Sequence, residues 1–195
     1  MKYLTCLLLP LATTLGLSAQ VIEFDIVGQG GSGLLGSNEL HATATPGSGG
    51  ELNSGITYNT ATQILTVDIG WGSSNGFTDL SGPATGAHIH GDAGQSGTAG
   101  VVLNFGTNAD FSFATGASNG GVTGASDISG LTTADLLAGN WYINIHTEDN
   151  SSGEIRGNLV QVSAVPEPST FALLIGFGAL GMVSTRRRRR CTAAV

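Results

Sequence analysis

The sequence predicts an all-β domain of short antiparallel strands set between two apolar ends. Three observations carry this expectation. Between Gln20 and Val165 the chain is rich in Gly, Ser, Thr, Asn and Asp, with short β-branched runs between them. That is the profile of strands joined by many turns. In Ile64–Trp71, Leu65, Val67, Ile69 and Trp71 fall on one face and Thr66 and Asp68 on the other, the period of a half-buried strand. Both cysteines, Cys6 and Cys191, lie in the terminal segments. The middle, roughly 145 residues and enough for one core, therefore has no disulfide, thiolate metal site or cysteine nucleophile.

The elements follow in order. Residues 1–19 read as a secretory signal peptide: Lys2, an apolar run Leu4–Leu17 broken by Pro10, then small residues Ser18 and Ala19, with signal peptidase cutting near Ala19. Residues 20–163 form the β domain. Val21–Val27 alternates as a first strand, Gly28–Gly36 is a flexible turn, and Glu39–Thr45 is a short edge strand ended by Pro46-Gly47. Leu52–Tyr58 and Ile64–Trp71 form a hairpin across Asn59–Thr62. Gly72–Gly82 is loop, and Ala84–His90 and Val101–Phe105 are strands on either side of a glycine-rich turn. Gly106–Gly130 reads as a long connection with one irregular strand near Phe111–Ala114. Leu131–Asn140 is a helical turn or two, with Thr132 or Thr133 capping its start and Gly139 its end. Trp141–Thr147 and Glu154–Val162 are the last strands.

Residues 164–190 change character. Pro166, Glu167 and Pro168 stop the sheet, an apolar helix runs over about 170–185, and Arg186, Arg187, Arg188, Arg189 and Arg190 follow; residues 191–195 are a tail. An apolar run before an arginine cluster is a membrane helix with its basic end in the cytoplasm. At about 16 residues it is shorter than the roughly 20 a stable span needs, which fits a processed sorting signal and transient anchoring in the inner membrane.

Charge is segregated. All 14 Asp and Glu lie between Glu23 and Glu167, whereas the basic residues are Lys2, Arg156 and the terminal arginines. The central domain is acidic with one arginine, which argues against a nucleic-acid partner. Arg156 is expected to pair with Glu154 or with an acidic loop residue, because a buried unpaired arginine is costly.

The residues that carry chemistry are histidines. Residues i and i+2 of a strand share a face, so His88 and His90 project together, with Ala87 and Ile89 opposite. In the later strand Tyr142, Asn144 and His146 share a face opposite Trp141, Ile143 and Ile145. All three histidines thus point away from the apolar interior and meet if their strands are neighbours. Two roles fit: a copper or zinc ligand set, or hydrogen-bonding anchors, His88 or His90 for the Gly91–Gly97 turn and His146 for Glu148–Gly153. His41 is expected to be exposed. Asp92, Glu148, Asp149 and Asn150 are oxygen donors that could take calcium, though at no recognised calcium-loop spacing. Nucleophile elbow, phosphate loop and zinc-protease helix are absent from the sequence.

Two resemblances attach to these motifs. Ala87-His88-Ile89-His90-Gly91 and the later Tyr142–Gly157 block, with its Gly153-Glu154-Ile155-Arg156-Gly157, resemble the hallmarks of the CHRD domain, over roughly residues 21–162. Asn150–Gly153 departs from that family's usual Asn-Pro-x-Gly. The resemblance implies an extracellular module. More distantly, Gly86-Ala87-His88-Ile89-His90 and His146 resemble the copper ligands of Cu/Zn superoxide dismutase, which implies an antiparallel Greek-key β-sandwich similar to that enzyme's fold. No histidine lies between His90 and His146, so that family's bridging and zinc-site histidines are missing, and dismutation is not expected. Val165–Thr170, the apolar run and the arginines resemble the PEP-CTERM sorting signal, which implies recognition by exosortase in Gram-negative bacteria.

The functions compatible with these features are a non-catalytic cell-surface or biofilm-matrix module, with exopolysaccharide or surface proteins as partners; a copper- or zinc-binding protein with a redox role using His88, His90 and His146; and a calcium-stabilised matrix component.

Overall fold

In the computed structural model, which describes residues 20–41 and 46–162, the chain forms eleven strands and one short helix. The strands are β1 (Val21–Gly28), β2 (Gly31–Ser32), β3 (Leu34–Leu35), β4 (Ser48–Asn59), β5 (Ile64–Trp71) and β6 (Ala84–His90). They continue as β7 (Val101–Asn104), β8 (Phe111–Phe113), β9 (Gly120–Asp127), β10 (Tyr142–Thr147) and β11 (Ile155–Gln161), with α1 at Thr133–Leu137. The predicted signal helix, the C-terminal membrane helix and the processing residues Pro166–Pro168 and Arg186–Arg190 lie outside the described residues. Among the described residues no helix is long and apolar enough to cross a membrane.

Every strand pairing is antiparallel, and the main path runs β7-β6-β10-β11-β1-β4-β5-β9-β8. The chain alternates between the two halves of this path. The β4–β5 hairpin lies in one half, β6–β7 in the other, β8–β9 back in the first, and β10–β11 in the second. This is Greek-key connectivity. The sheet curls on itself, because inward residues from both halves form one cluster: Val67 and Ile69 of β5, Ile89 of β6, Ile143 and Ile145 of β10. Its two ends meet, with the Phe105 and Phe111 rings 5.0 Å apart and Ala84 exchanging backbone bonds with Gly116 and Ala117. The result is the expected all-β sandwich around one core.

Alternation placed most strands correctly. Leu65, Val67, Ile69 and Trp71 are all 1% exposed or less. At the β4–β5 turn the Asn59 side chain accepts from the N–H groups of Ala61 and Thr62, the local bonding that makes Asn a turn former. Thr132 occupies the N-cap of α1 but its side chain makes no capping bond. Gly139 takes the left-handed conformation just after the helix, as a C-terminal glycine does.

Three expectations need correction. Glu39–His41 is not a strand: a 3₁₀ turn at Gly36–Asn38 precedes it, and the remainder of the predicted edge strand, residues 42–45, lies outside the described residues. The cause is Asn38, whose buried amide accepts from Gly30 N–H and donates to the carbonyls of Gly33 and Arg156; the chain bends to satisfy it. Second, β4 begins at Ser48 rather than at the predicted Leu52, and Gly49 and Gly50 pair with Trp71 and Gly70. Third, the supposed long connection contains a full strand, β9, paired with β5 from Ile64↔Asp127 to Trp71↔Gly120. Glycines hide its alternation, leaving Val122 as its inward hydrophobe. They are there for close approach: a Cβ on Gly124, at φ +157°, would lie 2.2 Å from the Asp110 carbonyl oxygen.

Gly124→Ala is expected to destabilise the fold by about 1–3 kcal/mol, the range for overpacking. Gly130→Ala, where an added Cβ meets nothing within 4 Å, serves as control and should leave the urea midpoint nearly unchanged.

Candidate metal centre

β6 and β10 are neighbours in the sheet, with Tyr142 opposite His90, Asn144 opposite His88 and His146 opposite Gly86. Ala87, Ile89, Ile143 and Ile145 turn inward and are fully buried. Strand alternation therefore sends His88, His90 and His146 to the outer face, where loops half-bury them. The imidazole centroids lie 4.9 Å (His88–His146), 5.6 Å (His88–His90) and 6.0 Å (His90–His146) apart. One ring nitrogen from each lies within 4.8 Å of the other two. Gly86 makes room for this: a Cβ there would stand 3.1 Å from His88 Cε1 and 3.7 Å from His146 Cδ2.

Loop carbonyls fix two of the three rings. His90 Nδ1 donates to the Ala99 carbonyl at 2.9 Å, and His146 Nδ1 to the Ser151 carbonyl at 2.9 Å. A carbonyl only accepts, so in the neutral rings the proton sits on Nδ1 and the Nε2 lone pair is free. Those Nε2 atoms, together with His88 Nδ1, are buried and have no hydrogen-bond partner. Two rings thus hold loops through one nitrogen, His146 within Glu148–Gly153 as expected and His90 at Ala99, two residues past the expected Gly91–Gly97 turn, and the other nitrogen of each is left free.

The electrostatics favour neutral rings. Burial, reinforced by His146 and His90, lowers the His88 pKa to about 4. Burial also lowers that of His90, opposed by its bond to Ala99 and assisted by the nearby charge of Arg156. Behind His90 stands a column that sequence reasoning did not foresee. The Tyr142 ring stacks on His90 at 4.9 Å and 6°, and the Arg156 guanidinium lies 3.5 Å over the other side of Tyr142. The Tyr142 hydroxyl reaches Ala99, the residue that orients His90. The signal available in the sequence was position: Tyr142 and His146 share a face, but what faces them depends on register.

The expected Arg156–Glu154 pair does not form. Arg156 donates to the Gly94 carbonyl, and burial lowers its pKa against the raising effects of Tyr142 and Glu39. Glu154, 0% exposed, instead accepts from Gly47 N–H, Ser81 N–H and hydroxyl, the Thr147 hydroxyl and the Asn150 amide, at 2.6–3.1 Å. Burial pushes its pKa up, and these bonds outweigh it, leaving the carboxyl below its ordinary value. Asn150, a predicted calcium donor, is held through its amide nitrogen, which donates to Glu154, Ser81 and Thr147; calcium would take the amide oxygen, which none of these bonds uses. Asp92, Glu148 and Asp149 are exposed, as is His41. Among the described residues the group of His, Asp or Glu side chains close enough to share an ion is His88, His90 and His146.

A pH dependence follows. The folded-state pKa of His88 is depressed to about 4, so between the unfolded value near 6.5 and about 4 the unfolded chain binds more protons. In the metal-free protein, the contribution of neutral His88 to stability should be constant above about pH 6.5, fall as pH drops to about 4, and be constant below. His88→Gln should flatten that slope in urea titrations taken at successive pH values.

The match to known families agrees with this geometry. The CHRD domain model matches residues 31–159, which span both histidine strands and the Gly153–Gly157 block. The PEP-CTERM protein-sorting motif matches residues 164–189. It marks the chain for recognition by an exosortase-type sorting enzyme and for export to the cell surface or outer envelope of a Gram-negative bacterium. No curated protein and no solved structure matches the chain. With more than half of its length covered by that one model, the chain belongs to the CHRD domain family.

Proposed function

We propose that this CHRD domain is a surface-displayed module that holds a copper or zinc ion on His88, His90 and His146. One observation carries the reading: three buried ring nitrogens without partners converge. Leaving a buried polar atom unpaired costs about 1–3 kcal/mol, and one cation accepts all three lone pairs at once. Three atoms no more than 4.8 Å apart share a centre about 2.8 Å from each, against roughly 2.0–2.1 Å for a Zn–N bond. Small rotations of the rings close that gap. The Nδ1–carbonyl bonds of His90 and His146 are the outer-shell partners that metal-bound histidines use. Imidazole suits both copper and zinc.

The setting is the extracellular matrix of an exopolysaccharide-producing cell. Signal peptidase removes residues 1–19, and the apolar run before Arg186–Arg190 holds the chain in the inner membrane until processing. A second reading is favoured by the bonds to Ala99 and Ser151: the histidines lock two loops of a non-catalytic module that binds matrix polysaccharide or surface protein.

Metal analysis separates the two. The full chain, exposed to copper or zinc and then desalted, should retain about one ion, and His88→Ala, His90→Ala and His146→Ala should each lose it. Equal, near-zero uptake by all four proteins leaves only the loop-locking role. For the address, deletion of Arg186–Arg190 should leave the protein unprocessed and off the cell surface by fractionation. Unchanged sorting would rule out the basic cluster as part of the signal.

A further inference from the structure

The histidine triad borders a cleft of about 490 Å³. His88 and His146 form part of its wall, whereas His90 stands behind them under the Tyr142–Arg156 stack. The remaining wall is neutral: Thr85, Asn104, Thr107, Thr115 and Ser151 supply hydroxyl and amide groups, Phe113 an aromatic face, and no Asp, Glu, Lys or Arg lines it. Among the described residues, the group that could share an ion contains three members and no fourth His, Cys, Asp or Glu.

Zinc sites divide on this feature. Structural sites are closed by four protein ligands, and sites that exchange ligands keep three and leave the fourth position open. From a set of three imidazoles with no fourth protein ligand, two of whose rings wall a neutral cleft, we infer that the ion in this domain has an exchangeable coordination position on the cleft side. There it takes a small uncharged or monoanionic molecule with a nitrogen or oxygen lone pair. A neutral wall neither repels a monoanion nor competes with the ion for it, and the hydroxyl and amide groups can hydrogen-bond the rest of the ligand. Asn144 Oδ1 is also buried without a partner, but its amide is packed against Gly153, where a Cβ would come 2.3 Å from it. It therefore faces the β10–β11 turn.

This inference rests on the metal-binding reading above, and the test keeps the two apart. Azide is the probe, added to the copper(II)-loaded full chain. The expected result is a saturable azide-to-copper charge-transfer band with a matching change in the EPR spectrum. Gly106→Leu introduces a side chain at the cleft wall, where a Cβ has ordinary backbone geometry and lies 3.5 Å from the Phe113 ring. It should keep copper at wild-type stoichiometry and weaken azide at least about tenfold, a difference of roughly 1.4 kcal/mol. Bound copper whose spectra azide does not alter means a closed site, which overturns the inference and leaves the metal reading standing. Equal azide affinity in wild type and Gly106→Leu overturns the cleft as the route. Failure of the wild type to retain either copper or zinc overturns both.

Discussion

The pairing of β6 with β10 governs the outer face of this molecule. Six residue pairs set it, from Tyr142↔His90 to Thr147↔Ala84. A slip of one residue would carry the histidines into the core and Ile89, Ile143 and Ile145 into solvent, because side chains alternate with period two. The apolar face thus enforces the register, and the register brings three imidazoles together. Burying isoleucine on one side of two strands positions nitrogen donors on the other.

The loops then finish what the strands begin. The Gly91–Gly100 turn returns the Ala99 carbonyl to His90, and the β10–β11 turn returns the Ser151 carbonyl to His146. Each bond chooses a tautomer, so the loops decide which nitrogen faces the shared centre. Arg156 acts from further back. Stacked on Tyr142, it places a positive charge near His90 without touching it, and this disfavours a second positive charge on the ring. The strongly acidic domain thus sets its one arginine where it helps keep a histidine neutral, and Glu154, the carboxylate nearest in sequence, is spent on binding loops.

Most of the site was legible in the sequence, because strand alternation is a local property. His88, His90 and His146 could be put on one side, and Ala87, Ile89, Ile143 and Ile145 on the other, from spacing alone. Their convergence was conditional on two strands being neighbours, which spacing does not determine; Greek-key order came from family resemblance. What stayed hidden was non-local or lacked side chains. Strand β9 carries glycine at 120, 121 and 124, so the alternation a reader searches for is missing where close packing demands it most. Asn38 bonds to Arg156 across 118 positions. Glu154 finds its donors at Gly47 and Ser81, on loops remote in sequence, so the local guess of a Glu154–Arg156 pair failed. The cleft likewise draws its wall from β6, β7, β8, β10 and the segments after β7, β8 and β10.

The partnership of β1 with β11, from Phe24↔Gln161 to Val27↔Asn158, bears on how such a chain is made. The first strand to leave the ribosome has for one edge a partner that is almost the last part of the domain to appear. Until then that edge is bare, and the sheet cannot close. Contacts this distant in sequence make folding slow, and an unpaired edge invites association with other chains. A domain built this way cannot complete its sheet, or fix the order of strands on which its histidines stand, until its end has been synthesised.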